Sequence, residues 1–200
     1  MPAAQKTTTE STTTRMLDIA ERLVQTRGFN GFSYADVAGE LGVTKASLHY
    51  HFAAKADLGE AIVERYSARF MQALEQIDAS ARDDVAKLEA YANLYAEVMR
   101  GERMCLCGML AAEFETLPAP IGASVVSFFD TNVVWLAHVL KDGRAAGTLT
   151  FDGAADDAAR ALLGALQGAM LLARPYGDVA RFQATTAHTL GALTAPAGAR

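Results

Sequence analysis

Residues 34–53 read YADVAGELGVTKASLHYHFA. Val37, Ala38 and Leu41 recur at three- and four-residue spacing, which puts them on one face of a helix. Gly42 breaks that pattern, because glycine takes the left-handed backbone conformation of a sharp turn without a steric penalty. Thr44 is suited to cap a second helix running to about residue 51. Helices that cross steeply over so short a turn need a small side chain at the crossing, and Ala38 supplies it. Val37, Leu41, Val43 and Leu48 form the small core between them. The outward face of the second helix is left with Lys45, Ser47, His49 and Tyr50. From Leu41 to Ala56 there is no acidic residue. The segment meets the steric demands of a helix-turn-helix that reads DNA.

Working outward, Leu17, Ala20 and Val24, with Ile19 and Leu23, mark an earlier helix. Gly28 is expected to end it with a left-handed cap, and Phe29 and Phe32 to fold back on it. Ser33 is placed to cap the helix at 34–41, with Asp36 three residues on completing a capping box. The threonine-rich run 7–14 has no apolar residue and is expected to be a flexible tail. Downstream, a long helix is expected over 55–77. Others follow near 83–100, 107–116, 122–144, 154–174 and 178–193, with Pro118 and Pro120 stopping the short one. Residues 148–151 are strand-like but too short and isolated to found a sheet. The fold class is therefore all-α, about nine helices. Its parts are a tail at 1–14, a helix-turn-helix domain at 15–60 and a second helical domain at 61–195.

The net charge of −5 is unevenly placed: residues 1–70 hold eight Lys/Arg against eight Asp/Glu, and the remainder ten against fifteen. An acidic chain still binds nucleic acid where its field is locally positive, so charge permits DNA binding without indicating it. Residues 1–14 lack the apolar stretch of a signal peptide. The apolar run 161–173 is too short for a membrane helix, and 121–140 carries Asp130, Asn132 and His138. A protein of the reducing cytoplasm, with no membrane partner, is expected.

The run Gly42-Val43-Thr44-Lys45-Ala46-Ser47-Leu48-His49-Tyr50-His51-Phe52, followed by Lys55 and Leu58, resembles the signature of the TetR/AcrR family of transcriptional regulators. The match extends over about residues 15–66. Two positions depart from the family pattern: His49 stands where tyrosine is usual, and Ala54 replaces a Ser/Thr helix cap. The resemblance implies that Thr44, Lys45 and Ser47 reach base edges or nearby phosphates. It implies that His49 and Tyr50 touch phosphate or thymine methyls, that Lys55 clamps a phosphate, and that Ser33 and Tyr34 contact the DNA backbone. It further implies a homodimer on double-stranded operator DNA, released by a small-molecule inducer.

No motif identifies the second domain. Small residues Ala161, Gly164, Ala165, Gly168 and Ala169 on the helix at 154–174 permit close packing against a partner, or reflect an alanine-rich chain. Tyr91, Tyr95, Met99, Phe114, Phe128, Phe129, Trp135 and His138 are candidates to line a ligand cavity or to form plain core. Cys105 and Cys107 are too few and too closely spaced for a metal site or an unstrained disulfide. They are either buried structural residues or thiols that sense an electrophile or oxidant, activated by Arg103 and a helix N-terminus. No metal or cofactor is expected. An enzyme reading finds no nucleophile elbow, phosphate-binding glycine loop or His-Glu-x-x-His motif to build on, and a helical adaptor that only dimerises is the third reading.

Overall fold

The computed structural model describes residues 11–194. Helix α1 spans Thr12–Arg27, three residues earlier than the apolar periodicity suggests, because the Ser11 hydroxyl accepts from the Thr14 amide at 3.1 Å and caps it. Thr12, Thr13 and Thr14 are thus helical rather than tail, and residues 1–10 of the expected tail lie outside the described residues. Gly28 ends α1 with φ 84° and ψ 168°, an extended positive-φ conformation and not the expected left-handed cap. The positive φ favours glycine, and a Cβ there would also lie 2.6 Å from the Glu113 carboxylate and displace it.

Helix α2 (Tyr34–Leu41) and helix α3 (Lys45–His51) flank Gly42, which takes φ 74° and ψ 32°. Its amide and that of Val43 both donate to the Ala38 carbonyl, at 2.9 and 3.0 Å. Val37, Ala38, Leu41 and Leu48 are buried between the helices, with Val43 half-buried beside them.

Helix α4 (Lys55–Ser80) buries Leu58, Ile62, Tyr66, Phe70, Leu74 and Ile77 in one stripe. The expected domain boundary at residue 60 falls inside this continuous helix, which is common to both halves. Glu21 of α1 lies between Arg65 (2.9 Å) and Arg69 (2.5 Å) of α4, and Asp18 adds a contact to Arg65 at 2.8 Å.

The second half comprises α5 (Asp84–Arg100), α6 (Leu106–Ala111), α7 (Ala119–Ala145), α8 (Ala155–Ala173) and α9 (Val179–Gly191), with a 3-10 turn at Phe114–Thr116. Pro118 and Pro120 open α7 rather than merely ending the preceding helix: they occupy its cap and first turn, where a missing amide costs nothing. By length and composition α7 is apolar enough to cross a membrane, yet it packs against α4, α5 and α8 and buries Asn132. Residues 148–151 contribute a single bridge, Leu149 to Thr194, and no strand is present among the described residues.

Helix α5 ends on a turn in which Arg103 N donates to Val98 O (3.1 Å) and Glu102 N to Met99 O (2.9 Å). Glycine is usual at the central position of this motif, but here Glu102 adopts φ 57°. A side chain in that conformation costs about 1–2 kcal/mol.

Candidate nucleic-acid interface and effector region

Helix α3 presents its polar face to solvent from a fixed base. Thr44 caps it, its hydroxyl accepting from Ser47 N at 3.3 Å, and buried Leu48 anchors its inner side. Lys45, His49 and Tyr50 are exposed and Ser47 half-buried; Tyr50 is 87% exposed, its ring edge-on to that of His51 at 5.3 Å between centroids. Two histidines limit how the helix moves. His49 Nδ1 lies 3.0 Å from the Ala53 carbonyl with its ring 4.7 Å from that of Tyr34, and His51 Nδ1 lies 3.2 Å from the Thr13 hydroxyl. His49, shorter than the tyrosine usual at this position, turns back onto its own chain.

Ser33 is exposed, and its hydroxyl and amide both donate to Asp36 (2.6 and 2.7 Å), which holds that carboxyl below its ordinary range. Tyr34 is buried and its hydroxyl donates to Phe52 O at 3.0 Å, so it braces α2 against the end of α3 instead of facing DNA. Burial, with Asp57 nearby, raises its pKa to about 12. Lys55 is also turned inward. Its ammonium donates to the carbonyls of Phe29 and Phe32 and sits over both rings, at 4.5 and 4.2 Å from their centroids. Desolvation lowers its pKa despite Glu113 nearby. Tyr34 and Lys55 thus both engage protein groups and hold the frame that presents α3, while bordering one groove with Ser33, Lys45 and His49. At Ala54 the missing cap is partly replaced by Asp57, whose carboxylate accepts from the Ala54 amide at 2.9 Å.

The turn between α1 and α2 is tied to the second half by residues the sequence gives no reason to single out. Glu113, just after α6, accepts from Phe29 N (2.5 Å) and Asn30 N (3.3 Å), and Asn30 donates to the Thr116 hydroxyl at 2.8 Å. Met104 N donates to Gln25 O at 3.2 Å, and Arg174 donates to Thr26 O at 2.5 Å.

The residues expected to line a ligand cavity do not share one. Tyr91 and Tyr95 are fully buried, hydroxyls 3.0 Å apart, and Tyr91 donates to Asn132 Oδ1 at 2.8 Å. Trp135 stacks on Tyr91 (5.4 Å between centroids) and donates to Asp78 at 2.8 Å. Phe70 packs edge-on among Tyr91 and Phe128, and Phe129 lies against Phe128. Phe128 borders a groove of about 320 Å³ between α4 and α7 with Val63 and Met71, and Met99 borders a separate one of about 280 Å³. Phe114 is 46% exposed on the 3-10 turn, where it borders an open groove of about 420 Å³, and His138 is exposed on the outer face of α7, opposite buried Asn132 and Leu136. A larger groove, about 410 Å³, runs between α5 and α9 over Ala92, Ala96, Phe182 and Leu190, none of them anticipated.

Cys105 and Cys107 are buried, and burial raises both thiol pKa values. Cys105 stands at the cap of α6 beside the Tyr66 hydroxyl (3.8 Å), but an apolar enclosure prevails over any help from the helix end. Among the described residues no group of three His, Cys, Asp or Glu side chains is arranged to hold a metal.

Residues 16–62 match the sequence model of the family described as bacterial regulatory proteins, tetR family, and residues 85–189 match that of the tetracyclin repressor-like C-terminal domain. The HTH-type transcriptional repressor NemR of Escherichia coli is 26% identical over 199 residues, covering 96% of this chain and 98% of NemR. Transcriptional regulator AcuR of Cereibacter sphaeroides is 28% identical over 153 residues, 74% of this chain and 69% of AcuR. The crystal structure of a TetR-family regulator from Agrobacterium tumefaciens superposes with a TM-score of 0.88 at 32% identity, covering 92% of this chain and 97% of that one.

Proposed function

The chain belongs to the tetR family of bacterial regulatory proteins, and from that premise we infer a repressor that binds a near-palindromic operator as a homodimer and leaves it when a small molecule engages the second half. Transcriptional regulation is the function of the family; repression is supported by the name of NemR. The observation that carries the reading is α3: a short helix, capped and anchored, with Lys45 and Tyr50 projecting from its exposed face. In this reading Thr44, Lys45 and Ser47 meet base edges and nearby phosphates. Tyr50, His49 and Ser33 meet the DNA backbone, while Tyr34 and Lys55 act at one remove.

One such helix reads too few base pairs to be specific alone, which calls for two half-sites about a turn or more apart. Helix α8 supports a dimer. A Cβ added at Gly164 or Gly168 would meet nothing within 4 Å of this chain, and Leu171 and Leu172 are 61% and 74% exposed. A regulator of this kind works in the cytoplasm, where the DNA is. Release by thiol modification draws no support from two buried cysteines with raised pKa values.

The test is an operator selected from random duplexes, followed by anisotropy at several salt concentrations and sedimentation of the free protein. A dimer on a two-fold symmetric site is expected, and a monomer with full affinity for one asymmetric half-site overturns the reading. A Cys105→Ser, Cys107→Ser double variant should leave any release by small aromatic compounds intact. Release by N-ethylmaleimide that vanishes in the variant would favour the thiols instead.

A further inference from the structure

Met99, Met104 and Val179 line a cavity of about 280 Å³ between the end of α5 and the start of α9, and Arg103 and Arg174 stand on its walls. Two independent turns create it. The left-handed Glu102 swings the chain so that Arg103 follows directly, and Gly177, at φ 58°, turns the chain from the end of α8 into α9. Neither guanidinium has a carboxylate within 4.0 Å among the described residues. Asp178, the nearest acidic residue in sequence on that side, caps Ala180 N and pairs with Arg181. Arg174 spends one N–H on Thr26 O and one on the Met109 sulfur (3.0 Å), leaving donors of its fork unused. Glu102 shares the cavity, so its walls carry two positive charges and one negative. That balance suits a monoanion and opposes a cation.

The geometry points to a binding subsite for a small monocarboxylate with a short apolar chain, its carboxylate between Arg103 and Arg174 and its chain over Met99, Met104 and Val179. A planar guanidinium matches a carboxylate with paired hydrogen bonds, and two buried methionines accept an apolar tail of variable shape. The site also has a lever. Arg174 holds the C-terminus of α1 through Thr26 O, where the helix dipole favours a cation, and Met104 holds Gln25 O beside it. A carboxylate that pairs with the unused donors of Arg174 draws its fork toward Arg103 and away from the Thr26 carbonyl. Occupancy therefore loosens the end of α1 and weakens operator binding, a consequence that rests on the regulator reading, whereas the subsite itself does not.

The experiment is calorimetric titration of the full chain with hexanoate, and with hexanol and hexylamine as neutral and cationic counterparts. Hexanoate should bind at least about tenfold more tightly than either, less so at high salt. Arg103→Gln should weaken it roughly ten- to hundredfold, the effect of losing a charged hydrogen-bonding partner. Arg174→Lys should weaken it less than Arg174→Gln, and Val179→Glu should abolish it while far-UV dichroism stays unchanged. Hexanoate that binds no better than hexanol, or as well to Arg103→Gln as to the native chain, overturns the subsite. Anisotropy with the selected operator then tests the lever: hexanoate should lower operator affinity for the native chain and not for Arg103→Gln. Calorimetric binding without that loss overturns the lever and keeps the subsite. A chain that binds hexanoate but no duplex at all overturns the regulator reading instead.

Discussion

Replacing Lys55 by methionine separates two roles for a cation at the start of α4. Methionine keeps the apolar stem and removes the ammonium. In the structure that ammonium donates to Phe29 O and Phe32 O and lies over both aromatic rings. Two charge-assisted bonds at about 1.5 kcal/mol each, the low end because the group is half-buried, with about 0.5 kcal/mol for each ring, give roughly 4 kcal/mol. Water reaching the freed carbonyls returns part of this, so Lys55→Met should cost about 2–3 kcal/mol of stability. Urea unfolding followed by circular dichroism measures it. A phosphate clamp predicts otherwise: stability nearly unchanged, affinity lowered alike on operator and random duplex, and a salt slope reduced by about one per subunit. A loss of stability under about 1 kcal/mol together with that drop in slope would refute the structural role.

Lys45, exposed at the first turn of α3, should behave differently, with Lys45→Ala flattening the preference at one or two base pairs by about 1–3 kcal/mol in competition binding to operator variants. Glu21→Gln should destabilise by about 2–3 kcal/mol in urea, less than for a fully buried pair because Arg69 is half-exposed; a change near zero would mean that the cluster with Arg65 is electrostatically idle. The Asp36 carboxyl is held below its ordinary 3.8 by the Ser33 hydroxyl and amide, so its contribution is complete above that value and is lost as pH falls through the lower folded one. Asp36→Asn should therefore flatten the fall in melting temperature between about pH 5 and pH 3, and an unchanged slope would count against it.

What was legible in the sequence was local. Gly42, Ala38 and Thr44 declare the turn, the crossing and the cap within a dozen residues, because each is demanded by backbone geometry that its neighbours set. The other helices are legible by period, with ends displaced by a few residues where caps such as Ser11 of α1 and Pro118 of α7 act outside the apolar pattern. Side-chain destinations were not. Lys55 finds its carbonyl partners 23 and 26 residues away and Glu113 its amides 83 and 84 away, and no periodicity encodes contacts across such separations. His138 misleads for another reason. Helix α7 is apolar on more of its circumference than this chain buries, so an apolar neighbourhood in sequence does not identify the inward face.

The ties onto the α1–α2 turn also bear on how much a ligand must do. Glu113 and Thr116 with Phe29 and Asn30, Arg174 with Thr26, and Met104 with Gln25 make a short strap from α6 and the end of α8 to the DNA-binding half. An ordinary allosteric coupling is about 1–3 kcal/mol, and a hydrogen bond contributes about 0.5–1.5 kcal/mol net. Loosening two or three of these bonds thus matches the coupling that the proposed release requires. Moving α4 as a body is a larger demand, since it would disturb a stripe from Leu58 to Ile77 that is buried against α1, α5 and α7. Stiffness in α4 and compliance in the strap follow from their contacts. A ligand that alters the strap alone can loosen the last turn of α1 and the turn after it while α1 stays held to α4 through Glu21 and the core of the second half stays packed.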